Sequence, residues 1–406
     1  MVTAPSGRTI AALVILLGLS ILLNSVDRGA LGVAAPLMKS QLGLSATQFG
    51  LAASAFFVTY GALQPVTGWL CDRVSVYRLL AFGVALWALS TMLTGWVSGL
   101  TTLVLLRLTL GIGESFAFPS ASKIIASHVP AGQRGLASAA IGVGLALGPA
   151  LGTLAGGAIL ARSGWRPIFI TFGAVTLLWL VPWFLAVRTL PKSVDTVRPA
   201  PFAYRALLAQ KALWWLGFGQ VTANYCFFFM STWLPLYLVT GRGLSIATMT
   251  VFATLTFAMQ AVSAVVVGYL SDRLVAQGRD EGAVRRGILV ATQVALAIGI
   301  SGLAFATSPA AVLGWLLFTG AAMGCGPGMV YAISQMFAGP RLTGSWVGVQ
   351  NALASLSGIL GPVVTGLIVD ASGSYFGAFV FAAAVSAVGA LLFAFALPPI
   401  REIDIA

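Results

Sequence analysis

Four charged residues stand inside otherwise apolar stretches: Asp27 and Arg28 are adjacent, and Arg107 and Glu114 are seven residues apart. Two carboxylates and two guanidiniums sum to zero charge, which suits mutual pairing. Unpaired at the centre of a bilayer, each costs about 2.5–3.5 kcal/mol. Together they would cost about 10–14 kcal/mol, comparable to the stability of a whole domain. They must therefore pair, line a wet cavity or take up protons. On one helix, Arg107 and Glu114 share a face about 10 Å apart along the axis. Asp27 and Arg28 point about 100° apart, so one can face a solute while the other faces a neighbouring helix. A cross-helix contact of Asp27 with Arg107, or of Arg28 with Glu114, is expected. The chemistry on offer is an exchange of partners. Protonating Asp27 or Glu114 releases a guanidinium, which can hold an incoming carboxylate in a bidentate geometry that Lys cannot match. Proton coupling falls to Asp27 and Glu114, anion binding to Arg28 and Arg107, and linkage makes the two events favour each other. No residue is assigned a catalytic role.

The elements that must position these groups are long apolar helices. Of 406 residues, 59% are hydrophobic and 8% charged, against about 25% charged in a soluble domain. That excludes an ordinary soluble enzyme. The 47 Gly residues suit closely packed transmembrane helices. Three scattered Cys and a single His, His128, exclude a disulfide framework, a zinc site and His-based catalysis. Reading about 20 residues per crossing gives twelve spans: 10–37, 46–70, 77–97, 101–127, 134–160, 166–187, 212–239, 245–270, 286–307, 310–336, 344–370 and 375–397. The fold expected is an all-α membrane protein of twelve transmembrane helices in two six-helix bundles. The bundles are residues 1–187 and 212–406, joined by a polar, Pro-containing linker at 188–211. Sixteen Lys and Arg residues fall on the side of the termini and linker, and four (Lys39, Arg162, Arg166 and Arg242) on the other. The positive-inside rule places both termini and the linker in the cytoplasm. The net charge of +12 is thus an orientation signal and implies no nucleic-acid partner. Trp and Phe residues are expected mostly at the lipid face or the membrane interface.

The halves echo each other. Gly68-Trp69-Leu70-Cys71-Asp72-Arg73 recurs as Gly268-Tyr269-Leu270-Ser271-Asp272-Arg273, an offset of 200 residues, and Gly148-Pro149 is echoed by Gly361-Pro362. Repeats of six helices with a site between the halves are one known transporter plan. Asp72, Arg73, Asp272 and Arg273 are assigned to a cytoplasmic gate, their carboxylates bonding helix N-termini or neighbouring Arg residues. Gly144, Gly148 and Gly152 form a small-residue stripe read as close helix packing. His128 is read as a loop residue. The second half has no deep charge, only neutral polar residues. Asn351, Asn224, Gln335 and Ser355 are assigned to substrate binding through hydroxyl recognition, with Tyr60 as their first-half counterpart, while Gln350 is expected to face elsewhere.

These residues resemble the major facilitator superfamily. The Gly-x-Leu-x-Asp-Arg loop with Arg78 five residues on is similar to its signature loop, although Val74-Ser75 stands where a Gly is usual. Arg107-x-x-x-Gly111-x-Gly113-Glu114 and Gly144-x-x-x-Gly148-Pro149-x-x-Gly152 are similar to its second and third motifs. A narrower resemblance is to the anion:cation symporter family of sugar-acid permeases and vesicular glutamate and sialic-acid carriers. It is carried by Asp27-Arg28, Ser54-Ala55-Phe56 to Tyr60, Gly113-Glu114-Ser115, Phe118-Pro119, Lys123, Gln133-Arg134-Gly135, Gly164-Trp165-Arg166, Trp233 to Leu238, Gly339-Pro340-Arg341 and Asn351.

The resemblance implies the major facilitator fold and a secondary active transporter, not an enzyme. It implies proton-coupled symport of a small organic anion, such as a sugar acid, by alternating access. Protons are the coupling ion and no other cofactor or metal is expected. The expected setting is a bacterial inner membrane, with a monomer in the lipid bilayer. An organic-anion or drug antiporter is the alternative within transport, and a transporter-like membrane sensor the alternative outside it.

Overall fold

The computed structural model describes residues 7–71, 73–129, 134–188 and 204–403. All regular structure among them is helical. In chain order the helices are α1 (Gly7–Gln41), α2 (Ala46–Cys71), α3 (Val76–Thr94), α4 (Leu100–Glu114), α5 (Ala117–His128), α6 (Arg134–Ser163) and α7 (Arg166–Val187). There follow α8 (Tyr204–Leu208), α9 (Lys211–Leu236), α10 (Ile246–Ala276), α11 (Glu281–Phe305), α12 (Pro309–Ser372) and α13 (Phe376–Leu391). Eleven helical stretches among the described residues are long and apolar enough to cross a membrane. Helix α9 is long enough as well, but its Gln220, Thr222, Asn224 and Thr232 dilute its hydropathy. Helices α4 and α5 make a single crossing over Leu100–Ile125. Helix α12 makes two, Pro309–Gly339 and Trp346–Ser372. Its break falls at Gly339, whose φ of 60° and ψ of 178° leave the helical region. That backbone suits glycine, which has no Cβ to strain.

The chain divides into two compact units. One is Met1–Leu44, Leu51–Ala200 and Ser245–Thr250; the other is Ser45–Gly50, Pro201–Leu244 and Val251–Ala406. A division at the linker alone misses the two short segments 45–50 and 245–250. They open α2 and α10 and lie 200 residues apart, the spacing of the sequence repeat. Both starts are built alike. Ser45 Oγ accepts from the Gln48 N–H and Ser245 Oγ from the Thr248 N–H, each at 3.1 Å. These hydroxyls satisfy N–H groups that lack an intrahelical partner. Within the second unit, Asp370 adds a carboxylate that accepts from the N–H groups of Ala46 (2.9 Å) and Thr47 (2.7 Å).

In the first unit the core is set by how closely α6 approaches α1. A methyl added at Gly148 would stand 2.2 Å from Ser25 Cβ, and one at Gly152 would stand 2.3 Å from the Val26 carbonyl oxygen. The glycine stripe is therefore a backbone-to-backbone seam. The aromatic expectation is corrected here. Trp87, Trp165, Trp183, Trp233 and Trp346 are fully buried, as are Phe49, Phe56, Phe229, Phe257, Phe337, Phe379 and Phe393. Wide rings fill the gaps between helices, and several indoles find an acceptor inside. Trp165 donates to Gln41 Oε1 (2.8 Å), Trp179 to the Leu16 carbonyl (3.0 Å) and Trp183 to the Tyr77 carbonyl (3.2 Å). Buried indoles with partners inside lose little by leaving the interface. The exposed apolar surface is instead largely aliphatic, with Leu178 and Val265 among its most exposed members, although Phe395 is exposed too.

Candidate functional site

The first unit gathers the four deep charges onto two helices. Asp27 and Arg28 lie on α1, Arg107 lies on α4, and Glu114 is the last residue of α4, just before the turn at Ser115 and Phe116 that leads into α5. All are withdrawn from the outer surface: Asp27 is 4% exposed, Arg107 8% and Glu114 1%, and the Arg28 side chain 19%. Helices approach closely enough for this because glycines remove side chains between them. A methyl at Gly111 would stand 2.3 Å from the Phe56 carbonyl oxygen.

Arg28 Nη2 lies 3.9 Å from Glu114 Oε2, so of the two expected cross-helix contacts this one is present. No ion pair joins Asp27 to Arg107 among the described residues. Asp27 instead accepts a hydrogen bond from the Thr91 hydroxyl of α3 (2.9 Å). Arg28 also reaches Asn24 Oδ1, one turn back on α1 (3.5 Å), and stands 5.9 Å from the centroid of the Tyr60 ring. Tyr60 stacks on Phe56 (5.2 Å), and Phe56 lies under the Arg107 guanidinium at 5.0 Å. The two guanidiniums thus sit against a Phe56–Tyr60 aromatic pair on α2, a cation–π arrangement. The four charges are close enough to act on one another electrostatically.

The polar capacity of this cluster is underused. Asp27 Oδ1, Arg28 Nε, Arg107 Nε, Glu114 Oε2, Asn24 Nδ2 and Ser54 Oγ are buried and make no hydrogen bond among the described residues. Arg107 makes neither a hydrogen bond nor an ion pair with them. A buried polar atom without a partner costs about 1–3 kcal/mol. Such a concentration of free donors and acceptors is what a polar solute would satisfy. Among the described residues no group of His, Cys, Asp and Glu could hold a metal ion.

In the second unit, Asn351 is half-buried on the later limb of α12. Its Oδ1 accepts from the Tyr331 hydroxyl (3.1 Å) and from Gln220 Nε2 (3.4 Å). Gln350 does not face elsewhere. It is fully buried in the same network, accepting from Ser334 Oγ (2.6 Å) and donating to Gln220 Oε1 (2.7 Å). Two residues apart or adjacent on a helix need not diverge when α9 and the earlier limb of α12 both press on that face. Ser355 spends its hydroxyl on the Asn351 carbonyl one turn back (3.0 Å). Asn224 is half-buried and Gln335 exposed, and neither makes a hydrogen bond among the described residues. Sequence reasoning missed Gln220, Tyr331 and Thr91; the signal for Gln220 was a carboxamide deep in an apolar stretch.

The assigned gate residues are less engaged. Asp72 lies outside the described residues. Arg73 is exposed and stacks on Trp69 of its own helix end (4.2 Å). Asp272 and Arg273 are exposed and make no side-chain hydrogen bond or ion pair among the described residues. His128 closes α5 rather than lying in a loop: it hydrogen-bonds the Tyr77 hydroxyl and stacks on its ring at 5.8 Å.

The model of the Major Facilitator Superfamily matches residues 17–280. The chain belongs to that superfamily. Among similar proteins of this superfamily is the hexuronate transporter of Bacillus subtilis, 30% identical over 399 residues, covering 93% of this chain and 92% of that one. A probable sulfoacetate transporter of Cupriavidus necator is 28% identical, covering 93% and 91%. A probable L-galactonate transporter of Escherichia coli is 29% identical, covering 94% and 88%. In fold, the chain resembles a bacterial homolog of the human lysosomal transporter Spinster, solved inward-facing and unoccupied, with a TM-score of 0.79 at 21% identity over 97% of this chain and 96% of that one. This chain is thus a multi-pass membrane transporter of the Major Facilitator Superfamily and not an enzyme.

Proposed function

We propose that this transporter carries a small organic anion, a sugar acid or similar carboxylate, together with protons by alternating access. The observation that carries the reading is the state of the two guanidiniums. Arg107 is buried over Phe56 with no acid within ion-pair distance among the described residues, and Arg28 holds Glu114 only at 3.9 Å. Neither is committed, so either can accept a carboxylate in fork geometry. The transporters named for hexuronate, L-galactonate and sulfoacetate all handle anions, and charge of the opposite sign is what this site supplies.

Coupling follows from competition. With Glu114 ionised, part of the Arg28 field is spent on it. A proton on Glu114 or Asp27 removes that competitor and leaves net positive charge for the solute. Anion and proton then bind together and leave together, and the effect is reciprocal. One proton with one monovalent anion moves no charge, so the pH gradient alone drives uptake, about 1.4 kcal/mol per unit. A second proton adds about 2.3 kcal/mol per 100 mV. Two titratable acids in the cluster favour the electrogenic case. The Lys and Arg asymmetry favours cytoplasmic termini in a bacterial inner membrane. The glycine stripe that suggests an antiporter is engaged in packing α6 on α1.

The test is a proteoliposome panel of radiolabelled D-glucuronate, L-galactonate, sulfoacetate and an aromatic acid, with and without an imposed pH gradient and membrane potential. Uptake of at least one anion that rises with inward acid drive and with an inside-negative potential is expected. Uptake that follows the pH gradient but ignores the potential refutes electrogenic coupling. No gradient-driven uptake of any of them refutes the reading itself.

A further inference from the structure

The second unit holds a connected chain of hydrogen bonds that starts at the Ser334 hydroxyl, whose oxygen also lies 2.8 Å from the Val330 carbonyl one turn back. Ser334 donates to Gln350, Gln350 donates to Gln220, and Gln220 donates to Asn351 Oδ1, where the Tyr331 hydroxyl also donates. Ser334 and Gln350 are fully buried and Gln220 is 6% exposed, so the chain is anchored where water does not compete. An amide oxygen has two acceptor sites. Both are taken at Asn351, while its Nδ2 makes no hydrogen bond among the described residues and the residue is only half-buried.

We propose that Ser334, Gln350, Gln220 and Tyr331 are positioning residues that lock the Asn351 amide with its oxygen inward, so that the second unit presents an N–H donor and reads an acceptor oxygen on the transported anion. The inference rests on the organic-anion reading and adds the polarity of the second recognition point. A turned amide would offer an acceptor and would repel a carboxylate or sulfonate. A fixed donor accepts either, and also a hydroxyl oxygen. It therefore admits both polyhydroxylated acids and an anion with no hydroxyl, such as sulfoacetate. Site-bound polar groups held this way discriminate through what is left unpaired when the wrong partner enters.

The test uses the full-length protein in proteoliposomes with D-glucuronate, L-galactonate and sulfoacetate, taking whichever the wild type accumulates. Tyr331→Phe and Asn351→Ala are measured singly and together. Tyr331→Phe is expected to raise KM about tenfold with maximal velocity within about twofold, and to add nothing in the Asn351→Ala background. Such non-additivity is the mark of residues acting as one unit. Asn351→Asp, which replaces the donor by a charged acceptor, is expected to raise KM further than Asn351→Ala. An equal factor for Tyr331→Phe in both backgrounds, or no effect of it at all, overturns the proposal. So does an Asn351→Asp variant with wild-type KM. Wild-type protein that accumulates none of the three overturns the organic-anion reading first, and is distinguishable because no variant is then involved.

Discussion

Arg28 and Glu114 meet at 3.9 Å across α1 and α4 without a hydrogen bond between them. The gap is informative. A buried pair made for stability closes to about 2.7–2.9 Å and satisfies its remaining polar atoms. This one leaves Glu114 Oε2 and Arg28 Nε without hydrogen bonds. A loose pair separates at little cost, which is what a partner-exchange mechanism requires.

Glu114→Gln keeps the shape of the side chain and removes its titration. Gradient-driven accumulation should fall from about a hundredfold per pH unit, the two-proton value, to none, while exchange of labelled for unlabelled solute persists. Counterflow and net uptake in the same proteoliposomes check this. Equal loss of both assigns Glu114 a structural role.

Arg107→Lys keeps the charge but gives up the planar fork over Phe56. Lys offers a point charge and no bidentate geometry. KM for the transported anion should rise about ten- to a hundredfold, the worth of one hydrogen bond to a charged group at about 1.5–3 kcal/mol. An unchanged KM removes Arg107 from the site.

The four charges were legible in the sequence because charge in an apolar helix stands out, and the spacing of Arg107 and Glu114 placed both on one helical segment. Which acid meets which base was not legible. It depends on the axial offset of α1 against α4, which the spacing within either helix does not encode. The role of Thr91 was hidden for the same reason: its partner lies 64 residues away on another helix. Gln350 was misread because adjacency on a helix fixes a 100° turn but not how many helices surround that face. The buried tryptophans were misread because composition alone does not separate an interface ring from a ring that fills a gap between helices.

Gly148→Ala tests the seam between α6 and α1. The new methyl meets Ser25 at 2.2 Å, where part of the obstacle is backbone. Overpacking of this kind costs about 1–3 kcal/mol, so a lowered Tm in detergent is expected, with reduced transport from a displaced Asp27–Arg28 pair. Gly142→Ala on the same helix meets nothing within 4 Å and should be neutral or mildly stabilising. Equal behaviour of the two variants would show that the seam does not set the packing.

His128 gives a pH signature independent of transport. It lies at the end of α5, beyond the membrane-spanning stretch, and burial beside Tyr77 lowers its pKa from the usual 6.5. The unfolded chain therefore takes up the proton first as pH falls. Acidification through about 6.5 favours unfolding until the folded imidazole also titrates, and below that point the contribution is constant. Above 6.5 both states are neutral and the residue is silent. Thermal unfolding of the wild type should show stability falling as pH drops through this window, with the His128→Gln variant losing that component while Glu114→Gln keeps it. A wild type and His128→Gln pair with parallel pH profiles would remove His128 as the source.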